Sequence, residues 1–382
     1  MTGQDLPDMR RNASLDKSDD IVVHLEQYST YSKLQSDWSE LEKRARPTAF
    51  LTWTWIGSWL RETGIQPWII RAERANQIVG LGLIGFVHRR RLGFRVPALM
   101  LHQTGQADHD SLFIEFNGFL LDKDHEEPAA ELMISSLFEC EPRADLPNWL
   151  EFCLSGVPEW YYKMICKMNI RVGVDSIRPS PYVDLVPSLT NVNEYLSMLS
   201  RNVRHQIRRS MRLFESLGPL GLSQPDSEEQ ALEWLQEMKV LHQDRWNAVG
   251  KSGAFSVPFF EKFVQSLIGS PQSIDNVDML RIAAGNHSIG YLLNLRQGEF
   301  AANYLSGFTR DFDGRYKPGL ISHTLAISHY AKLGCKKYSF LGGDSQYKRS
   351  LATGSEDLYW LKLQKKNWRL SAESLLDAVL KR

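Results

Sequence analysis

Phe50-Leu-Thr-Trp-Thr-Trp55, running on to Gly64, is answered later in the chain by Phe255-Ser-Val-Pro-Phe-Phe260, running on to Gly269 over the same length. Asn76-Gln-Ile-Val-Gly80-Leu81 is echoed by Asn286-His-Ser-Ile-Gly290-Tyr291, and Leu154-Ser-Gly156 by Leu341-Gly-Gly343. Three echoes in one order read as a duplicated domain. Working outward, periodicity predicts strands at 21–26, 67–73, 77–88, 94–101, 112–121 and 149–154 in the first copy, with helices at 31–46, 53–63, 131–140 and 158–168. Closing strands fall near Arg171 and Tyr182, and the cluster Pro179, Pro181 and Pro187 marks a domain boundary. A helix over 193–217 precedes the second copy. There the pattern predicts strands at 220–223, 279–284, 288–295, 300–307, 337–341 and 358–363, with helices at 228–248, 258–268, 318–333 and 372–380. The expected fold is α/β (α+β): a leader at 1–20, a domain at 21–190 and a second at 191–382, each a mixed, mostly antiparallel sheet flanked by helices.

At 382 residues, 43% hydrophobic and 24% charged, the chain is long enough for two ordinary globular cores. Lys plus Arg and Asp plus Glu balance at 45 each, which argues against a generic nucleic-acid binder, so no DNA partner is expected. Cys140, Cys153, Cys166 and Cys335 form no CxxC and fall in apolar segments, so they read as reduced packing residues. Residues 1–20 are polar and read as disordered. With no signal-like segment at the start and no apolar run of about 20 residues, the expectation is a cytoplasmic chain without a transmembrane segment.

The copies differ after their fourth long strand. In the second, Tyr316-Lys317-Pro318-Gly319-Leu320 opens a helix, with proline where its missing N–H costs nothing. The free amides of Gly319 and Leu320 and the positive end of the helix dipole then make a seat for phosphate, with Arg315, Tyr316 and Lys317 beside it. The first copy carries Asp122-Lys-Asp124-His-Glu126-Glu127-Pro128 instead, whose carboxylates repel phosphate. That copy is expected to scaffold rather than bind.

The run Tyr195-Leu-Ser-Met-Leu-Ser-Arg-Asn-Val-Arg204-His-Gln-Ile-Arg208-Arg-Ser, then Leu241-His-Gln-Asp-Arg-Trp246, Tyr316-Lys-Pro-Gly319 and Gly343-Asp344-Ser-Gln-Tyr347-Lys348, resembles the CelD-like acetyltransferase branch of the GNAT superfamily. That branch is related to the tandem-GNAT FemAB peptidoglycan aminoacyltransferases, and the resemblance covers nearly all of the chain after residue 20. It implies two tandem GNAT-like domains and, as cosubstrate, acetyl-CoA or another acyl-CoA, its pantetheine arm in a gap between the fourth and fifth strands near Tyr304 and Phe340. The partners are then an acyl donor and an amine acceptor, without a metal.

Acyl transfer needs an oriented donor, a deprotonated amine and polarisation of the carbonyl. Asp344, Tyr347 and Lys348 directly follow the fifth strand. Asp344 is suited to take or orient the amine's proton, Tyr347 to protonate the leaving thiolate and Lys348 to stabilise the oxyanion, a role the FemAB resemblance also implies for this lysine. The plain alternative is a turn, with Asp344 satisfying backbone amides and Lys348 solvated.

Arg204 and Arg208, with Arg201, Arg209 and Arg212, share one helix face without an acid between residues 201 and 212, which suits an anionic substrate or simply a solvated face. Trp246, beside His242 and Arg245, fits an acceptor platform or sheet packing. His102, Asp108, His109 and Asp110 match no ligand pattern, and Gly250-Lys-Ser252 lacks the first glycine of a nucleotide loop. Three functions remain open: an N-acyltransferase using acyl-CoA on a small-molecule or cell-envelope amine, a FemAB-like tRNA-dependent aminoacyltransferase on a peptidoglycan precursor, and a non-catalytic module binding polysaccharide or protein.

Overall fold

The computed structural model describes residues 21–91, 94–139, 146–367 and 370. The expected leader, Cys140 and the helix at 372–380 lie outside them.

The first half runs β1 (Ile21–Gln27), α1 (Tyr31–Glu42), α2 (Trp53–Thr63), β2 (Trp68–Arg74), β3 (Gln77–Arg91), β4 (Phe94–Leu101), β5 (Leu120–Leu121), α3 (Glu126–Glu139), β6 (Glu151–Pro158), α4 (Glu159–Ile165) and β7 (Arg171–Asp184). The short helix α5 (Val192–Met198) and the longer α6 (Arg201–Glu215) lead into β8 (Leu220–Ser223), α7 (Glu228–Ala248), α8 (Pro258–Ile268) and α9 (Ser273–Asn276). Then come β9 (Val277–Ala284), β10 (His287–Gln297), β11 (Phe300–Phe308), α10 (Pro318–Lys332), β12 (Lys337–Ser339), α11 (Gln346–Leu351) and β13 (Gly354–Gln364).

The duplication extends to local irregularities. Pairing of β2 with β3 skips Val79, and pairing of β9 with β10 skips Ile289, each immediately before the echoed glycine. Such bulges bend a strand at a fixed point. Both copies thus bend at the same place.

The strands form one sheet in the order β1-β2-β3-β4-β6-β13-β7-β12-β11-β10-β9-β8, with β5 pairing β3 off this path. The last strand of each half sits beside its counterpart: β13 lies between β6 and β7, and β7 lies between β13 and β12. No break in the sheet therefore corresponds to the boundary expected near residue 190. On one face α1, α2, α7 and α8 share a single apolar cluster drawn from both halves, where Trp55 meets Phe263 at 4.8 Å between ring centroids. On the other, α3 and α4 cover the first half, and α5, α6 and α10 the second.

Four sequence expectations need correction. Pro179 and Pro181, two of the expected boundary cluster, lie inside β7. Their carbonyls accept from Gly343 N–H (3.0 Å) and Phe340 N–H (2.9 Å), so their nitrogens, which have no N–H to donate, lie beyond the end of the β12 pairing at Ser339. The helix at 193–217 is broken because Leu199 is extended (ψ 161°) and Ser200 Oγ caps Val203 N–H at 3.4 Å. Only Leu120–Leu121 of the expected strand at 112–121 pairs, for a reason given below. Cys153 and Cys335 are buried, but Cys166 is exposed because it follows the last turn of α4.

Because β6 lacks its outer neighbour without β13, residues 21–190 expressed alone are expected to show no cooperative thermal transition by circular dichroism. Adding residues 191–382 in trans should restore one.

Candidate functional site

In each half two parallel strands pair briefly and then part. Ala98, Leu99 and Met100 of β4 face Glu151, Phe152 and Cys153 of β6; Phe300, Ala301 and Ala302 of β11 face Lys337, Tyr338 and Ser339 of β12. Beyond these pairs the gaps are filled differently.

In the first half, the segment 112–119 enters the gap. Asn117 donates its backbone N–H to Gly156 O (3.1 Å) and its Nδ2 to Leu101 O (3.2 Å), joining the two parted strands. Its Oδ1 accepts from Gly118 N–H and from His102 Nδ1–H, both at 2.9 Å. This is why 112–121 cannot be a strand: its polar groups serve two strand ends at once. Phe113 (φ 51°) and Phe116 (φ 49°) take left-handed conformations, a strain of about 1–3 kcal/mol each by general experience. The segment is held by Thr48 Oγ1 on Phe116 O (3.0 Å) and by Tyr304 O–H on Leu112 O. Gly156 has φ 66°, and a Cβ there would meet Ile114 O at 2.9 Å, so the segment is seated tightly. Of the acids expected to repel phosphate after this strand, Asp122 is paired with Arg44 at 3.0 Å.

In the second half the gap is open. It widens into a cleft of about 800 Å³ lined by Asn303, Ser306, Phe340, Gly342, Tyr347 and Lys348, with Trp246, Arg245 and Lys251 at the end of α7. Leu341 has φ 58°, and the Leu341 and Gly342 carbonyls both accept from Lys348 Nζ, at 3.1 and 2.9 Å. An ammonium has three N–H donors, so one is left for a ligand. Burial pushes the Lys348 ammonium down from its usual range, and the charge of Glu115 partly restores it.

Glu115, which the sequence reading missed, belongs to the first-half segment yet lines this cleft at only 8% exposure. Its carboxylate accepts from Gly342 N–H. Burial pushes it up, opposed by that hydrogen bond and by the charges of Lys348 and Arg178. Arg178 itself lies 4.3 Å over the Trp360 ring. No local motif marks Glu115; only the insertion of its segment brings it here.

Below the cleft, Tyr347 stacks on His323 of α10 (5.8 Å between centroids, 22° between planes). His323 Nδ1 lies 3.0 Å from Tyr338 Oη. Burial and then the charges of Lys348 and Arg245 depress His323 to about 3, so it is neutral at physiological pH. Burial raises the Tyr347 phenol.

The predicted residues divide. Asp344, Tyr347, Lys348 and Trp246 all line the cleft. Asp344 is exposed, however, and bound to Arg349 at 2.8 Å, which counts against its reading as the base. Tyr304 is the residue skipped where β10 pairs β11; its ring packs among Phe50, Trp55 and Phe260 and its hydroxyl is spent on Leu112, so only its backbone is left for a donor. Helix α10 begins at Pro318 as expected. Gly319 and Leu320 N–H precede its first internal bond, Ile321 N–H to Lys317 O at 3.1 Å. Beside them Arg315 is held by Asp313 at 2.6 Å and Tyr316 packs against Phe214 and Phe312, so neither faces a ligand freely. Lys317 N–H donates to Ser210 Oγ of α6 (2.9 Å), which ties the arginine helix to this start. Along α6, Arg201, Arg204, Arg208 and Arg212 line a separate groove of about 640 Å³ with His205 and Met211.

Residues 201–349 match the family model described as Acetyltransferase (GNAT) domain. The match runs from α6 to α11, within the second half. No curated protein matches the chain. Among solved structures, FemX aligns with 90% of this chain and 98% of its own at 12% identity and a TM-score of 0.59. The C-terminal domain of a putative lysylphosphatidylglycerol synthetase from Agrobacterium fabrum covers 92% of this chain and 97% of its own (11% identity, TM-score 0.53). L-PGS from Bacillus licheniformis covers 90% and 95% (11% identity, TM-score 0.50). These likenesses establish a FemAB-like fold across both halves. Among the described residues no helix is long and apolar enough to cross a membrane.

His323 and His102 are both buried and depressed from the usual 6.5, to about 3 and about 4, chiefly by burial. The unfolded chain therefore takes up protons that these two native histidines refuse, so their contribution to stability is full above pH 6.5 and falls as pH drops toward 4, by several kcal/mol in total on an order-of-magnitude count. Urea midpoints measured across this range should show that loss, and His323→Asn should reduce it to the share that His102 contributes.

Proposed function

We propose that the protein is an acyltransferase that moves an acyl group onto an amine in the second-half cleft, while the first half serves as scaffold. The observation carrying this reading is the contrast between the gaps: one is filled by Asn117, whereas the other is left open beside Lys348 and the start of α10. The donor carbonyl would lie against the remaining N–H of Lys348, which is held in place by two backbone carbonyls and costs little reorganisation as charge develops. Tyr347 would protonate the leaving group.

For the donor, an aminoacyl ester of tRNA, delivered to a peptidoglycan-type amine as the FemAB resemblance implies, is the better supported reading. The likeness to FemX extends over both halves, and the name lysylphosphatidylglycerol synthetase itself denotes attachment of an aminoacyl group. The arginine face of α6, tied to α10 through Ser210, adds phosphate contacts beyond what a small thioester needs. An acyl-CoA donor, acetyl-CoA in the simplest case, is the second reading. It is favoured by the free amides of Gly319 and Leu320, which suit a pyrophosphate, and by the acetyltransferase model over residues 201–349.

The two separate by experiment. With a tRNA donor, ribonuclease should abolish transfer in a crude assay, and binding should weaken steeply with salt and further in Arg204→Ala with Arg208→Ala. With a CoA donor, calorimetry should detect acetyl-CoA at millimolar concentration or below, and Gly319→Glu should remove the signal. Under either, Lys348→Met should lower kcat about 10²–10³-fold, the usual loss for an oxyanion donor. Retention of full activity in that variant would refute the placement of the carbonyl.

A further inference from the structure

A carboxylate supplied by the inactive half sits inside the cleft of the other. We infer that Glu115 is the group that receives the proton of the acceptor amine, so the first half contributes a catalytic residue and not only support. This rests on the acyltransferase reading and goes beyond it.

The alternatives in the cleft are already occupied. Asp344 is exposed and held by Arg349 at 2.8 Å. His242 Nδ1 lies 3.1 Å from Ser306 O and its Nε2 accepts from Ala254 N–H at 3.4 Å, while burial depresses its basicity. His323 is depressed to about 3, too weak a base to hold a proton at neutral pH. Glu115 has one backbone partner, Gly342 N–H, and a carboxylate accepts at two oxygens. Acceptance capacity is therefore left for an ammonium.

The charges around Glu115 fit the task. Lys348 from α11 and Arg178 from β7 lower its affinity for a proton, while burial raises it; Tyr304 of β11 is the other titratable group that senses its charge. The balance is a carboxyl held above its usual range, the direction that suits a base. Its hydrogen bond to Gly342 also puts it on the same short turn whose carbonyls hold Lys348, so base and oxyanion donor are anchored to one backbone segment. The step balances as follows. The ammonium passes one proton to Glu115, and the neutral nitrogen forms the C–N bond at the donor carbonyl. The donor's C–O or C–S bond breaks, and its leaving atom takes a proton from Tyr347; the second amine proton lost on forming the amide returns to that tyrosine through solvent.

The test uses the full chain and whichever donor binds, with two small amines: n-butylamine, an ammonium at neutral pH, and methoxyamine, already neutral there. Glu115→Gln keeps an oxygen for Gly342 N–H. It should lower transfer to butylamine about 10²–10⁴-fold, the usual contribution of a general base, and spare methoxyamine, with Glu115→Asp recovering part of the loss. Equal loss for both amines, or no loss, would overturn the proposal while leaving the transferase reading standing. Failure of the wild-type chain to bind either donor would overturn both. As an independent check, the carbon-13 NMR titration of the side-chain carboxyl, assigned by its disappearance in Glu115→Gln, should fall above the ordinary carboxylate range; a value inside that range overturns the proposal whatever amine is used.

Discussion

The antiparallel pairing of β7 with β13, from Gly354 opposite Tyr182 to Gln364 opposite Arg171, is the constraint on which the molecule depends. Each strand closes the sheet next to the other half's parallel strand, so neither half has a complete sheet of its own. The shared cluster of α1, α2, α7 and α8 reinforces this on one face. Burial of this size outweighs what any surface pair contributes, because apolar area counts about 25 cal/mol per Å² whereas exposed ion pairs add at most about 1 kcal/mol. The halves are consequently fixed to each other closely enough for a side chain of one to serve the cleft of the other.

The two gaps are one solution used twice with different occupants. Strands that part leave backbone groups needing partners. In the first half Asn117 supplies them, its side-chain amide and backbone N–H bridging Leu101 and Gly156 much as a bound amide would. In the second half Asn303 to Ser306 line the cleft instead, with the Leu305 and Ser306 carbonyls met by the side chains of Asn303 and His242. The price of filling the first gap is two aromatic residues in left-handed conformations, and its return is that Glu115 is carried across to Gly342.

Much of this was legible in the chain. The echoes around Gly80 and Gly290 marked matching bulged hairpins, Pro318 marked the start of α10, and the run from Asp344 to Lys348 marked the cleft, because turn, cap and periodicity signals are local. Strand exchange was not legible, since Pro179 and Pro181 read as a boundary unless the neighbouring strand is known to end early. The segment 112–119 alternates like a strand but is shaped by its tertiary contacts. Asp344 and Arg315 looked free because their partners, Arg349 and Asp313, are chosen by the fold of the turns that carry them. Glu115 had no signal at all, its role arising from contact between residues 227 positions apart.

The place of β13 at the middle of the sheet also bears on biosynthesis. While the ribosome is still translating the second half, the emerging first half has β6 with one flank bare and β7 without either neighbour. Unpaired edges of that kind recruit other chains. Nascent protein should therefore depend on holding factors until its last strand emerges, and a stalled or prematurely stopped message should yield aggregates rather than a soluble amino-terminal product.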